Sequence, residues 1–167
     1  MKTKIIKKLI IKIGLLSIPF WIIFISYLTF DPFRVLRKYD SYFISGQPSY
    51  VTLNRDYIST QTFINNYPKY GYDSFIFGNS RSIFYEIKDW EKHIIPGKSF
   101  HFDASVESIY GIQRKIKFLE LKKIKIANAL VILDYSTLVN IKNNRGHLFI
   151  KHPAISGENI FSFHFKF

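Results

Sequence analysis

The sequence contains no cysteine among its 167 residues. This absence excludes disulfide scaffolds, thiol nucleophiles and cysteine-ligated zinc or iron–sulfur sites. Acidic residues are scarce, with 12 Asp and Glu against 24 Lys and Arg, and the formal net charge is +12. The composition is not that of a disordered chain, because 47% of the residues are hydrophobic and 18% are aromatic. The meaning of the charge therefore depends on where it lies along a chain that can fold.

A long uncharged segment begins near the amino terminus. No charged side chain occurs from Ile13 to Phe30, and nearly all eighteen residues of this run are apolar. At about 1.5 Å per residue the run spans roughly 27 Å, and the apolar residues at 9–11 extend it past a hydrocarbon core of about 30 Å. The sequence therefore predicts a transmembrane helix over residues 9–30.

The flanks of this segment indicate its orientation. A basic flank, residues 1–12, carries five lysines and no acid, whereas acids accompany the cations that follow the segment. We therefore expect a single-pass protein of the cell membrane, with a cytoplasmic amino terminus and an extracytoplasmic domain. A cleaved signal peptide and a buried core helix are the alternatives. The first Ala is Ala104, so the exit lacks the small residues of a cleavage site, and the run is long for a core helix.

The basic flank also changes the meaning of the net charge. Five of the 24 cations lie in the first twelve residues, which leaves 19 against all 12 acids in the remainder. The lipid bilayer is the expected partner. Nucleic acid is not expected, because the chain lacks basic residues interleaved with aromatic ones.

Two regions follow the membrane segment. Residues 31–70 show weak periodicity and predict a juxtamembrane segment with one short helix near Asp56 to Asn65. Residues 71–167 predict an α/β domain. Short apolar runs at 74–77, 99–102 and 129–133 predict strands, the last of them central, with helical spacing of apolar residues between them. This order predicts a doubly wound, three-layer α/β fold with a parallel sheet.

Polar residues follow each predicted strand. The carboxyl ends of parallel strands share one edge of the sheet, where ligands bind. We therefore expect the side chains and amides at these ends to converge on one site. The candidates are Asn79, Ser80 and Arg81 after the first strand, Asp103 and Ser105 after the second, and Asp134 after the third.

Ser80 is the candidate nucleophile among them. It lies on a predicted tight turn from strand to helix, where Gly78 permits a sharp backbone path. A hydroxyl in such a turn is exposed, and the amides that follow it face an incoming oxyanion. A polar helix cap is the alternative, because Asn and Ser are common at that position.

The stretch Ser74-Phe-Ile-Phe-Gly-Asn-Ser-Arg-Ser82 resembles the first motif block of SGNH/GDSL-type hydrolases, an apolar strand followed by Gly-Asp/Asn/Ser-Ser. The segments 103–111 and 131–136 are similar to the strand ends where the second and third blocks fall. The resemblance covers about residues 72–140 and implies an SGNH-like α/β domain. An amino-terminal anchor followed by such a domain is similar to the arrangement in envelope proteins that hydrolyse or transfer acyl groups on polysaccharides.

The resemblance implies roles for particular residues. Ser80 would be the nucleophile, and its own amide would contribute to the oxyanion hole. The second block of the family supplies a glycine amide, whereas this chain has Asp103-Ala104-Ser105 and offers only the amide of Ser105. The third block supplies an Asn donor, but here Asp134 stands there, and an ionised carboxylate only accepts hydrogen bonds.

The general base of the family, a His in an Asp-x-x-His block, has no counterpart in this sequence. In place of that Asp, three residues before the histidine, the sequence has Asn144 before His147, Phe149 before His152 and Phe161 before His164. Without a base a serine is a poor nucleophile. His152 is a candidate that folding could bring near Ser80, with a surface-loop histidine as the alternative.

The end of the sequence bears on the missing base. The four Phe at period two in Phe161–Phe167 predict an exposed strand. We therefore expect the sequence to be the amino-terminal portion of a longer protein.

Two functions follow from these expectations. The first is a membrane-anchored, SGNH-like esterase or acyltransferase acting on O-acyl groups of a cell-envelope polysaccharide, alone or with an acyl-transfer membrane partner. The second is a non-catalytic, membrane-tethered protein that binds anionic glycan or protein partners. The basic residues from Arg114 to Lys125 serve the second function or are simply the solvated face of a helix. No cofactor or metal motif is present in the sequence.

Overall fold

The computed structural model describes residues 2–39, 51–142 and 146–167. The α-helices are α1 (Lys2–Phe30), α2 (Arg55–Tyr70), α3 (Ile87–Trp90), α4 (Ile109–Leu121), α5 (Tyr135–Val139), α6 (Pro153–Ser156) and α7 (Ile160–Lys166). The strands are β1 (Ser74–Gly78), β2 (Ser99–Asp103) and β3 (Asn128–Val131), and 3-10 turns cover Ser80–Phe84 and Glu91–His93.

Helix α1 contains the predicted membrane segment. Its stretch Lys4–Phe30 is long and apolar enough to cross a bilayer, and none of its most apolar window is buried in the protein. The helix ends at Phe30, where Asp31 adopts the left-handed conformation at φ 41° and donates its amide to Tyr27 O over 3.0 Å. The prediction of one long apolar helix at this place is confirmed.

The three strands form one parallel sheet in the order β2-β1-β3. Strand β1 is central and buried along its whole length, because the chain passes from β1 to β2 on one side and then crosses back to β3 on the other. The prediction that 129–133 is the central strand is wrong: β3 is the edge of the described sheet, and Ala129 and Val131 are exposed. An unbroken apolar run does not by itself distinguish a central strand from an edge strand. The α/β class and the parallel pairing are confirmed.

The core lies on the face of the sheet that α2 and α4 cover. Phe63 of α2 is 1% exposed, and its ring lies 5.0 Å from that of Phe102 and 6.2 Å from that of Phe118 in α4. The predicted short helix near Asp56 is therefore real, and it extends to Tyr70 and packs against β2. Part of the segment 31–70 thus belongs to the core of the sheet.

The polypeptide between β1 and β2 differs from the predicted single helix. It consists of two 3-10 turns around the four-residue α3, and Phe84 of the expected apolar face is 86% exposed. Apolar residues do recur at helical spacing between β1 and β2, but each helical piece of this segment is too short to form several consecutive α-helical turns.

The carboxyl-terminal end also differs from its prediction. Residues 160–166 form helix α7 rather than a strand, capped by the Asn159 side chain, which accepts from Ser162 N over 2.8 Å. Four Phe at period two fit a helix whose opposite faces are both apolar, since residues four apart share a face.

Candidate functional site

The carboxyl ends of β1 and β3 meet, as expected of parallel strands. Asn79 follows β1 and is 4% exposed, and its Nδ2 donates to Asp134 Oδ2 after β3 over 2.8 Å. The same nitrogen lies 3.2 Å from Thr137 Oγ1. These bonds join the two strand ends directly and confirm that part of the convergence.

Asp134 organises this junction as the cap of α5. Its Oδ1 accepts from Thr137 N over 2.8 Å and from Ser136 Oγ over 2.7 Å, and its Oδ2 lies 3.2 Å from Arg81 Nη1. The bond from Asn79, followed by those from Ser136 and Thr137, holds the pKa of the Asp134 carboxyl well below its usual range. A carboxylate that remains ionised and is fully occupied by donors fixes the turn but offers no proton to an oxyanion.

Ser80 begins the 3-10 turn directly after this junction and is exposed. The turn is capped by Asn79 Oδ1, which accepts from Arg81 N over 2.9 Å. Gly78 permits the turn to fold back tightly, because a Cβ there would lie 2.6 Å from Ser82 Cβ. Within the described residues the Ser80 hydroxyl has no hydrogen-bond partner. It is therefore accessible from solvent on a fixed turn, without an activating base.

The end of β2 is occupied differently. The Asp103 carboxylate pairs with Arg55 of α2 at 3.2 Å, and the Asp103 amide donates to Ser59 Oγ over 3.1 Å. Burial raises the pKa of the Asp103 carboxyl, although Arg55 opposes the shift. Ser105 is half-buried in the loop after β2. The end of β2 lies at the same edge as the end of β1, since Asp103 pairs with Gly78, but in the part of the chain that the structure describes no hydrogen bond connects Asp103 or Ser105 to Ser80.

A serine–histidine contact that the sequence did not predict lies next to the Ser80 turn. Ser82 is fully buried, and its Oγ lies 2.7 Å from His101 Nε2 of β2 and donates to Asn79 O over 2.7 Å. Because the hydroxyl proton goes to the carbonyl, the histidine must be the donor in the second bond. Burial lowers the pKa of His101; Asp103 opposes this shift and Lys115 adds to it. The lowered pKa favours the neutral imidazole.

The Ser82–His101 contact therefore supports the turn from below and does not activate Ser82. Its signal in the sequence was the alternation of β2, which places His101 on the opposite face from Phe100 and Phe102. That alternation gives the face of a residue but not its partner.

His152 lies at the amino end of α6 and not in a surface loop. It is 7% exposed and caps the helix, since its Nδ1 accepts from Ala154 N over 3.1 Å. Its Nε2 therefore carries the proton that it donates to Gln61 Oε1 over 3.1 Å. Burial lowers the pKa of His152 to about 4, despite the opposing effect of Asp56. Both ring nitrogens are thus engaged away from Ser80.

The basic residues from Arg114 to Lys125, in α4 and directly after it, divide into two groups. Lys115 is fully buried, and Arg114 donates to Ser156 O over 2.7 Å and to Ile155 O over 3.2 Å. The expectation that both side chains lie on a solvated face is wrong. Lys115 forms ion pairs with carboxylates from other segments, and Arg114 donates hydrogen bonds to backbone carbonyls of α6. Four exposed cations remain at Lys117, Lys122, Lys123 and Lys125.

Among residues 2–39, 51–142 and 146–167, no group of three or more His, Asp and Glu could hold a metal ion. No family model, curated protein or solved structure matches the chain. The function must therefore be argued from the site itself.

Proposed function

We propose that this chain is a membrane-tethered, SGNH-like esterase or acyltransferase of the cell envelope, with Ser80 as its nucleophile. The observation that carries the proposal is the position of Ser80, exposed at the edge of a parallel sheet on a turn that Asn79 and Asp134 hold rigidly. A preorganised serine at such an edge is suited to acyl transfer. The span in α1 would place it beside O-acyl groups of a surface polysaccharide.

In this mechanism Ser80 Oγ attacks the ester carbonyl carbon while its proton passes to a base. The bond from that carbon to the sugar oxygen then breaks, the oxygen takes up the proton, and the acyl group remains on Ser80. Water or an acceptor hydroxyl then removes the acyl group. The amides of Ser80 and Ser105 are the proposed donors to the oxyanion.

The base is proposed to come from polypeptide outside these 167 residues. The half-buried His101 of β2 and the buried His152 at the amino end of α6 already use a ring nitrogen as a donor to Ser82 and Gln61. None of the five histidines follows an Asp at the spacing of an Asp-x-x-His block. A histidine from a further segment or from an acyl-transfer partner would complete the site.

Labelling with a fluorophosphonate, which reacts with activated serines, tests this proposal. The probe is applied to membranes of cells that express the native gene product together with its neighbouring genes. We expect labelling of the wild-type protein and its loss, at least about 100-fold, in Ser80→Ala, because no other hydroxyl can replace the nucleophile. Ser162→Ala, a half-buried serine on α7, is the matched control and should retain full labelling.

A non-catalytic, membrane-tethered protein is the second candidate, and the engaged state of His101 and His152 favours it. Its glycan-binding surface would be the four exposed lysines of the α4 end, Lys117, Lys122, Lys123 and Lys125. Equal labelling of wild type and Ser80→Ala, or none in either, would reject catalysis at Ser80 and leave this candidate.

A further inference from the structure

Helix α7 has two apolar faces that point in opposite directions. Phe163 is 1% exposed and packs its ring 5.0 Å from that of Tyr57, and Phe167 lies beside it with 5.6 Å between ring centroids. Phe161 and Phe165 occupy the other face and are 84% and 95% exposed. Large exposed aromatic rings grouped on one face of a helix usually mark a contact with protein or with lipid.

The position of α7 indicates whether protein or lipid covers its outer face, the face of Phe161 and Phe165. The ring of Phe167 lies 5.2 Å from that of Phe33, and Phe33 is the third residue after the end of α1. Three peptide steps of 3.8 Å place its Cα at most about 11 Å from that of Phe30. The inner face of α7 therefore packs against the chain directly where the apolar span ends.

This connection is fixed by a buried carboxylate. Asp31 is 1% exposed, and its side chain accepts from the amides of Val35 at 2.9 Å and Leu36 at 3.0 Å and from Tyr39 Oη at 2.9 Å. The turn over residues 31–39 is thus closed around Asp31. Val35 in this turn shares a buried cluster with Phe163, so α7 and the end of α1 form one packed unit.

We propose that the outer face of α7 inserts into the surface of the bilayer that α1 crosses, so that Phe161 and Phe165 form a second lipid contact of the domain. The inference rests on the proposed membrane span and is independent of catalysis at Ser80. Exposed Arg37 and Lys38 lie in the adjoining turn and attract anionic headgroups. A short apolar helix face at this level enters about 5–10 Å into the headgroup and acyl boundary. Two contacts, the span and α7, restrict rotation of the domain on the membrane.

The absence of native cysteine makes a direct test available. Single variants Phe161→Cys and Phe165→Cys of the full chain are labelled with a nitroxide and reconstituted in vesicles of phosphatidylcholine and phosphatidylglycerol. Collision with oxygen, which concentrates in lipid, is compared with collision with a nickel chelate, which remains in water. We expect oxygen to dominate at both positions, at a depth of about 5–10 Å.

Two control positions make each outcome decisive. Glu120→Cys, at an exposed position of α4, reports water, and Ile23→Cys in α1 reports the hydrocarbon core if α1 spans the bilayer. If the labels at 161 and 165 collide mainly with the nickel chelate, as the label at 120 does, while the label at 23 lies in lipid, the inference is overturned and the span remains. Labels shielded from both collision partners overturn it in favour of a polypeptide cover. A water-exposed label at Ile23 removes the span itself, and the inference fails with it.

Discussion

Four acidic and basic side chains from separate parts of the sequence, Asp56, Glu107, Lys115 and Lys151, are buried together at α4. Lys115 Nζ lies 2.5 Å from Glu107 Oε2 and 3.1 Å from Asp56 Oδ2, and Lys151 Nζ lies 3.0 Å from an oxygen of each carboxylate. Burial alone raises the pKa of Asp56, but Lys115 and Lys151 outweigh it and lower that pKa to about 2. The contribution of Asp56 to stability is therefore present above about pH 3.9 and lost as the pH falls toward 2.

This cluster was not predictable from the pattern of α4. Lys115 occurs among five other basic residues from 114 to 125, and such a run is normally solvated. Its burial requires two carboxylates from distant segments and a glycine at 111, where a Cβ would collide with Glu107 and Lys151. Pairings of this kind depend on the tertiary fold, which helical periodicity does not specify.

Lys115→Met tests the cluster at the scale of one residue. The substitution leaves Asp56 and Glu107 with one lysine between them, so we expect the free energy of unfolding to fall by about 3–5 kcal/mol. Urea unfolding in detergent, followed by circular dichroism, measures it. The matched control is Lys117→Met on the exposed side of the same helix, with an expected change within about 0.5 kcal/mol. Equal losses in the two variants would show that the buried ion pairs are not what stabilises this region.

Helix α7 shows at the scale of an element why one sequence pattern fits two structures. In a strand, residues at period two share a face, so Phe161 and Phe163 would be equivalent. In the helix they are opposite, and only Phe163 is buried. The strands β1 and β2 were predictable because their apolar runs are closed by turn residues, whereas the period-two pattern of α7 fits a strand and only the cap at Asn159 indicates a helix.

Alanine substitutions on the two faces of α7 distinguish these structures. Phe163→Ala removes a buried ring next to Tyr57, and we expect a loss of about 3–5 kcal/mol in the free energy of unfolding. Phe161→Ala removes an exposed ring, and in detergent solution we expect a change within about 0.5 kcal/mol. Chemical denaturation of both variants under one condition measures the difference. Similar losses at the two positions would contradict the helix and favour the strand.

At the scale of the whole molecule, the sequence predicted the long apolar helix, the parallel sheet and the convergence of three strand ends, of which those of β1 and β3 are joined by direct side-chain hydrogen bonds. The contact of Asn79 with Asp134 follows from topology alone, because parallel strands that are paired must end at one edge. The separate pairing of Asp103 with Arg55 did not follow, since Arg55 belongs to α2, which the sequence indicated only as a short helix before the domain. The contact of His101 with Ser82 was likewise not predicted, because the alternation of β2 indicates the face of His101 but not its partner.

The orientation of α1 in a membrane is the remaining large-scale expectation, and it rests on the charge asymmetry of the flanks of this helix. The five lysines before the apolar segment are expected to hold the amino terminus in the cytoplasm, and everything after Phe30 is then expected outside. Single cysteines at Ile6 and Lys125, both exposed, test this without removing a lysine of the flank. In intact cells a membrane-impermeant maleimide should label Lys125→Cys, and Ile6→Cys should react only after permeabilisation. The reverse labelling pattern would place the Ser80 edge of the sheet in the cytoplasm and rule out its action on a surface polysaccharide. Release of the labelled Lys125→Cys protein from the membrane fraction would identify α1 as a cleaved signal.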